Sequence, residues 1–481
     1  MTQALISAVG DICAYRLALR IGGVSCGNFF VRCYLQLILH MSSFYLLYTS
    51  SRTFSNTAEA AFVSIALYFW PLSARGASRT RFLLALAAAY VAVLFRPTSL
   101  LLWVFLGVHH LSNMRKLGAA HVVRAIVDAA VVGYAAADRT LVLGLGTLAD
   151  SLYYGRVVFT PATFFVENVV NSVSVFYGTH PWHWYLTQGL PFMLTVALPW
   201  VFIGWYRVLT NRIQARDRDA TRCIALAAVW MVATYSLLSH KEFRFIQSVL
   251  PMLHICGALF LASEAPNSTN ISDTIRSLPR YLRLLMLIQV PVAVYALAFH
   301  ARGQVAIMGV LHNLAQSTSV HSIGFLMPCH STPWQSHLHT QHLGADSGNK
   351  VWFIECPPPG PRDGPMYWDQ SDFFYYDPVT YILDRFPTHV DPEFPPDRDA
   401  VTKQSGVPAA RASYDLGWQH SWPSHLVMFG ALLNTQGRNG LSVKEVLSEK
   451  GYTELCRIWN TLFHPDRRRQ GDIVVMKHNA A

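Results

Sequence analysis

Apolar stretches close to bilayer-spanning length recur through the first 300 residues, at about 2–20, 30–50, 57–73, 122–146, 189–206, 223–239, 245–262 and 284–300. A helix needs roughly twenty apolar residues to cross the hydrocarbon core. An open strand edge leaves backbone donors and acceptors unpaired in lipid, so these stretches predict membrane helices. The composition agrees: 52% of residues are hydrophobic and only 14% are charged, where soluble domains carry about 25%. A chain this rich in apolar and aromatic residues is neither disordered nor collagen-like. Basic residues exceed acidic ones by 38 − 28 = 10. In so apolar a chain that excess reflects cytoplasmic loops facing anionic lipid, not a nucleic-acid site.

Charge placement predicts a topology. The stretch 82–111 is broken by Arg96-Pro97-Thr98, and both flanks are basic, with Arg75, Arg79 and Arg81 before it and Arg115 and Lys116 after. Both flanks are cytoplasmic if two short helices meet at Arg96-Pro97, where proline lacks its N–H donor and restricts its predecessor. The basic loop 207–222 is also cytoplasmic. Loops 51–56, the Arg96 turn, 147–188, 240–244 and everything after about 301 then fall on the lumenal side. The segment 263–283 returns to the cytoplasm, so its two acceptor patterns, Asn267-Ser268-Thr269 and Asn270-Ile271-Ser272, are expected to stay unglycosylated. The weakest crossing is 122–146, because Asp128, Asp138 and Arg139 must face protein or water.

Beyond residue 305 prolines, histidines and acidic residues cluster, and no further stretch is expected to span. The chain therefore divides into a membrane domain, 1–305, and a lumenal domain of mixed secondary structure, 306–481. Cys329, Cys356 and Cys456 would sit in an oxidising compartment. Cys329 and Cys356 are candidates for a bridge, with connectivity left open by sequence.

Several polar clusters interrupt the apolar pattern. Asp150 begins a run ending at Arg156 and follows an apolar stretch, where a lone aspartate reads first as a helix cap. The run 176–185 holds Tyr177, His180, Trp182, His183 and Trp184. Aromatics at a membrane boundary are first of all interface anchors. The histidines beside them are not explained that way, and a sugar site uses both aromatic faces and polar groups. A second cluster, His240, Lys241, Glu242 and Arg244, lies between two apolar stretches. It reads either as a short solvated turn or as a phosphate site, with the cations neutralising the phosphate and Glu242 orienting them. Arg96 is either a helix-end arginine snorkelling to the interface or a further phosphate ligand. No metal-binding spacing, phosphate loop or nucleophile elbow occurs, so no metal site is expected.

The run His240-Lys241-Glu242-Phe243-Arg244-Phe245 resembles the HKEFRF signature of the dolichyl-phosphate-mannose-dependent mannosyltransferases with the GT-C fold. Arg52-Thr53-Phe54-Ser55-Asn56, Arg96-Pro97-Thr98, YYGRVVFTP, SVFYGTHPWHWYLTQG and FLMPCHSTPWQSHLH are similar to one branch, the GPI mannosyltransferase III enzymes. The resemblance implies a mainly α, polytopic membrane protein of the GT-C type with about ten spans and a C-terminal mixed α/β lumenal domain. It implies an endoplasmic reticulum location with a lumenal active site and membrane lipid around it. The donor would be dolichyl-phosphate mannose and the acceptor a GPI-precursor glycolipid, with no cofactor and no nucleic acid. His240, Lys241, Glu242, Arg244 and Arg96 would serve the donor phosphate, and the 176–185 loop the sugar and acceptor.

The family's base is the aspartate of an acidic motif, ending in an Asp-Glu pair, in an early lumenal loop after the first helix. No such pair occurs near the start of this sequence, and Asp11 does not match the motif. Counting spans back from the basic loops also places Met1 in the lumen. The expectation is therefore that a first helix and the catalytic loop precede this sequence. A sugar hydroxyl is a poor nucleophile, and positioned base catalysis contributes about 10²–10⁴-fold. Without that loop the chain is expected not to transfer mannose, with Asp150 the remaining, weaker candidate for a base. The rival readings are a sister mannosyltransferase of N-glycan precursor assembly, a noncatalytic membrane binding protein, and a transporter, the last disfavoured by the lack of an inverted repeat.

Overall fold

The computed structural model describes residues 2–22, 35, 37–73, 78–138, 140–167, 173–213, 215–264, 272, 276, 280–316, 320–344, 348, 350–359, 367–397 and 417–481. Arg75, Arg139 and the asparagines of both glycosylation patterns lie outside them. The chain divides into two compact units, Met1–Leu297 and Ala298–Ala481.

The first unit is helical. Its main helices are α1 (Thr2–Gly22), α2 (Phe44–Ser50), α3 (Ser55–Phe69), α4 (Arg79–Phe95), α5 (Leu100–Leu117), α6 (Ala119–Asp138), α7 (Thr140–Tyr154), α8 (Thr160–Phe165), α9 (Leu198–Leu209), α10 (Arg218–Ser236) and α11 (Leu250–Glu264). The break at Arg96-Pro97 is where the sequence places it: α4 ends at Phe95, and a single 3-10 turn, Pro97–Ser99, leads into α5. The crossing expected over 122–146 lies in α6 and α7, the helical residues on either side of residue 139, which is outside the described residues. Its Asp128 is paired with Arg79 at 2.8 Å, which answers the requirement that a charge in such a helix find a partner.

Among the described residues, three helical stretches are long and apolar enough to cross a membrane: Tyr185–Leu209, Phe243–Glu264 and Leu287–Gln316. Others fall short for visible reasons. Helix α3 has 15 residues and α4 has 17, while α1 carries Asp11, Arg16 and Arg20. The third stretch also runs past residue 305, where no spanning character was expected.

Helix α11 is apolar all round because it is central; the Phe243–Glu264 stretch is 94% buried, as expected of a helix without a polar face. Close approaches require glycine at two contacts. A Cβ on Gly10 of α1 would lie 2.6 Å from the Ala61 backbone of α3, and one on Gly204 of α9 would lie 2.3 Å from the Cys256 carbonyl of α11.

The second unit is built on a five-stranded mixed sheet, β1 (Ile323–Leu326), β2 (Val351–Phe353), β3 (His425–Phe429), β4 (Tyr452–Ile458) and β5 (Ile473–His478), in the order β2-β1-β3-β5-β4. Strand β1 runs parallel to β2 and β3, while β5 is antiparallel to both β3 and β4. Strands β1 and β3 are buried along their whole length, so they read as continuous apolar runs, not alternating ones. One sheet face packs on Ile307, Met308 and Leu311 of the helix Arg302–Gln316. The other packs on Phe374, Ile382 and Val446 from three shorter helices. Cys329 and Cys356 form a disulfide, and Cys456 is a free thiol.

Candidate active site

The two polar clusters singled out in the sequence lie together in the first unit. The backbone N–H of His180 donates to the Ser239 carbonyl at 2.9 Å. His240 Nδ1 lies 2.8 Å from the Gly178 carbonyl. Gly178 makes the approach possible, since its φ of +110° is a conformation that side chains rarely adopt. The Tyr185 hydroxyl donates to the Glu242 carbonyl at 3.2 Å. Rings complete the seam: Trp184 lies 4.9 Å from Phe243 and 4.6 Å from His180, centroid to centroid.

Within the seam the charged residues have separate tasks. Lys241 is buried at 3% exposure. Its ammonium donates to the His180 carbonyl at 2.9 Å and to the Leu238 carbonyl. Burial pushes its pKa down. Lys241 thus fastens the two loops from inside. Glu242 holds Arg244 through two contacts, 2.5 Å to Nε and 2.7 Å from Nη2, the forked geometry that suits a guanidinium. Its other neighbour is His240 Nε2 at 3.2 Å. Burial pushes the Glu242 carboxyl up, but Arg244 and His240 outweigh burial and hold it below the ordinary range. The Arg244 side chain remains 44% exposed, so it is the member of the cluster most open to an incoming anion.

Arg96 reaches the cluster from behind. It pairs with Glu59 at 3.2 Å, with side chains 16% and 1% exposed, and lies 5.1 Å over the Phe245 ring. Its charge is met by a buried carboxylate, not left facing solvent. Of the aromatic loop, Tyr177 and Trp182 are exposed, at 61% and 68%, while Trp184 is 4% exposed and belongs to the core. His180 and His183 are exposed, the latter 3.3 Å from the Thr187 hydroxyl. Asp150 is not a helix N-cap. It accepts from the Thr160 hydroxyl and so ties the end of α7 to the start of α8. Among the described residues, no three His, Cys, Asp or Glu side chains converge as metal ligands would.

The sequence reading passed over Glu59, Gln247 and the contact of Asp11 with His40, and named Asn56 only as the last residue of the Arg52–Asn56 motif. Glu59 carried a usable signal, a lone acid inside an apolar helix. Gln247 carried none. A small cavity of about 70 Å³ lies beside the cluster, with Asp11, His40, Ser50, Thr57 and Gln247 among its lining residues. Its His40 bridges Asp11 at 2.9 Å and His254 at 3.1 Å.

Residues 1–339 match the model of the Alg9-like mannosyltransferase family. The chain is 32% identical to GPI mannosyltransferase 3 of Yarrowia lipolytica, over 99% of this chain and 80% of that one. It is 31% identical to GPI mannosyltransferase 3 of Aspergillus fumigatus, over 98% of this chain and 64% of that one, so it spans somewhat less than two thirds of that relative's length. It is also 31% identical to GPI alpha-1,2-mannosyltransferase 3 of Danio rerio, over 98% and 73%. In fold it is similar to the crystal structure of ArnT from Cupriavidus metallidurans bound to undecaprenyl phosphate, with a TM-score of 0.50 at 13% identity over 98% of this chain and 83% of that one. That likeness gives the helical unit the GT-C type of membrane fold, and the match over residues 1–339, with relatives above 30% identity along nearly the whole chain, makes this protein a member of the Alg9-like mannosyltransferase family.

Proposed function

We propose that the protein adds the third mannose to the GPI-anchor precursor, from dolichyl-phosphate mannose, at the lumenal face of the endoplasmic reticulum membrane. The observation that carries this is the seam between residues 178–185 and 239–245. It sets one half-exposed guanidinium, Arg244, held by Glu242, on the loop that is fastened to the exposed rings of Tyr177 and Trp182. The acceptor hydroxyl oxygen attacks the sugar's anomeric carbon and the bond to the phosphate oxygen breaks on the opposite face, inverting the configuration. The electron pair leaves with the phosphate, where Arg244 meets the developing charge. The hydroxyl proton passes to a carboxylate base, a role for which Asp150 is the remaining candidate in this sequence. Phosphate is already a good leaving group, so no general acid is needed. Lys241 and Arg96 contribute by position, since both spend their charge on partners inside the protein.

Microsomes from cells lacking the third GPI mannosyltransferase, expressing this protein and supplied with labelled donor, test the reading. Label on the GPI precursor would support the reading and, against the expectation of no transfer without the acidic loop, make Asp150 the leading candidate for the base. Label on dolichol-linked oligosaccharide would transfer the protein to N-glycan precursor assembly. Label on neither, with donor binding retained, would make it a binding protein.

A further inference from the structure

Behind the exposed face of the cluster a buried polar chain runs from one end of α3 to the backbone of Arg244. Glu59, 1% exposed, pairs with Arg96 at 3.2 Å. Arg96 Nη1 donates to Asn56 Oδ1 at 3.3 Å, and Asn56 Nδ2 donates to the Arg244 carbonyl at 2.9 Å. Asn56 is itself 1% exposed. The two contacts fix its amide orientation, because only oxygen accepts from a guanidinium and only nitrogen donates to a carbonyl. At the next residue of α3, Thr57 and its neighbour Thr49 of α2 accept from the Gln247 amide at 3.2 and 3.1 Å. The short helical segment Phe243–Val249 is kinked at Ile246, so its backbone is not self-supporting through a regular helix. It is held at residue 244 by Asn56 and at residue 247 by the two threonines.

We infer that Asn56, braced by the Glu59–Arg96 ion pair, is a positioning residue that sets where Arg244 presents its guanidinium to a lipid-linked phosphate. This rests on the reading of Arg244 as the donor-phosphate ligand. An isolated ion pair in a helical bundle does no more than join two helices, and replacing such a pair by apolar residues is often harmless. Here the pair does not end on itself. A further N–H of Arg96 passes through a single amide to the backbone of the cluster residue most open to an anion. A guanidinium misplaced by an ångström loses the paired geometry on which phosphate recognition depends.

The test is equilibrium binding of dolichyl phosphate to the full chain in lipid nanodiscs, with dolichol as the control lacking phosphate. Asn56→Asp keeps the size of the side chain and its contact with Arg96, but turns an acceptor toward the Arg244 carbonyl. Binding is expected to weaken about tenfold in protein that stays folded at the assay temperature, and Arg244→Ala should weaken it at least as much. Because Asn56 acts through Arg244, adding Asn56→Asp to Arg244→Ala should cost nothing further, a non-additivity that a merely structural role would not produce. Should Asn56→Asp not assemble, Asn56→Ala removes the donor without adding charge, and the same pattern is expected. Binding by the Asn56 variant within twofold of wild type, with Arg244→Ala weakened, overturns the inference and leaves the phosphate site standing. Additive losses overturn it as well. Wild-type binding that Arg244→Ala does not change removes the phosphate site and this inference with it.

Discussion

At the scale of single residues, burial separates side chains that the sequence treats alike. His240, Lys241, Glu242 and Arg244 form one charged cluster in the sequence, and its standing out between apolar runs made it legible as a site. Which member faces solvent was not legible, because adjacent positions carry no record of where an ammonium or a guanidinium turns. Lys241 is spent on two carbonyls, so Lys241→Met leaves both without their donor. The expected loss is about 1–3 kcal/mol of stability, read as a lower unfolding temperature in detergent, with an intact melt disproving the fastening role. Glu242 differs in its pH behaviour. Its folded pKa lies below the ordinary 4.5, so the stabilisation it gives is complete above 4.5 and is lost as pH falls through its folded value. Glu242→Gln should therefore be less stable than wild type at pH 7, and the difference should close on acidification below about 4.5. A difference that did not narrow at any pH below 4.5 at which both proteins stay folded would mean that the carboxylate's charge is not what holds Arg244. Glu59 shows the opposite case of legibility. The sequence flags a lone acid in an apolar helix, but its partner stands 37 residues away, 96 − 59 = 37, at a helix end that only the fold brings near.

At the scale of elements, breaks were more legible than lengths. The turn at Arg96-Pro97 follows from proline chemistry and is found there. Lengths were less so: α3 covers 15 residues and α4 17, and a hydrophobic window does not record where a helix stops. The stripe that lets α9 approach α11 is equally silent, since a glycine in an apolar helix looks like any small residue. Gly204→Val would drive a side chain into the Cys256 carbonyl. Overpacking of this kind costs about 1–3 kcal/mol or more, and the variant is expected to lose stability, where Gly107→Val, which meets nothing within 4 Å, should not. In the second unit the informative element is β3. Its His425 is 1% exposed, and burial, with Lys477 and His321 nearby, pushes its pKa down from 6.5 to about 4. The folded state thus takes up this proton only near pH 4, while the unfolded chain takes it up near 6.5. Stability contributed by the neutral ring is full above pH 6.5 and falls between 6.5 and 4, by about 3 kcal/mol in all. Urea unfolding at pH 7 and pH 4.5, followed for wild type and His425→Leu, checks this; an equal acid sensitivity in both would assign it to other groups.

At the scale of the whole molecule, the open matter is which side of the membrane each part faces. We propose that the C-terminal unit faces the lumen, and two lines of physical chemistry support it. Basic loops prefer the cytoplasm, and alternating from 207–222 through the apolar stretches leaves everything after about 301 on the other side. A disulfide persists only in an oxidising compartment, and the second unit contains one, Cys329–Cys356. The first line was legible in the sequence. The second was legible in part: the sequence names Cys329 and Cys356 as a candidate bridge without setting the pairing, and the fold places their Cα atoms 6.3 Å apart. The prediction is that a tag at the C-terminus is protected from external protease in sealed microsomes and becomes sensitive when the membrane is opened with detergent. In the same sample Cys329 and Cys356 should resist a thiol-reactive mass tag until a reductant is added. The two readouts fail separately. Cleavage of the tag in sealed microsomes would reverse the sidedness and, with it, place the Arg244 cluster opposite to where a lumenal reaction needs it. Ready labelling of Cys329 and Cys356 without reductant, with the tag still protected, would remove the disulfide as a support and leave the charge argument to stand alone.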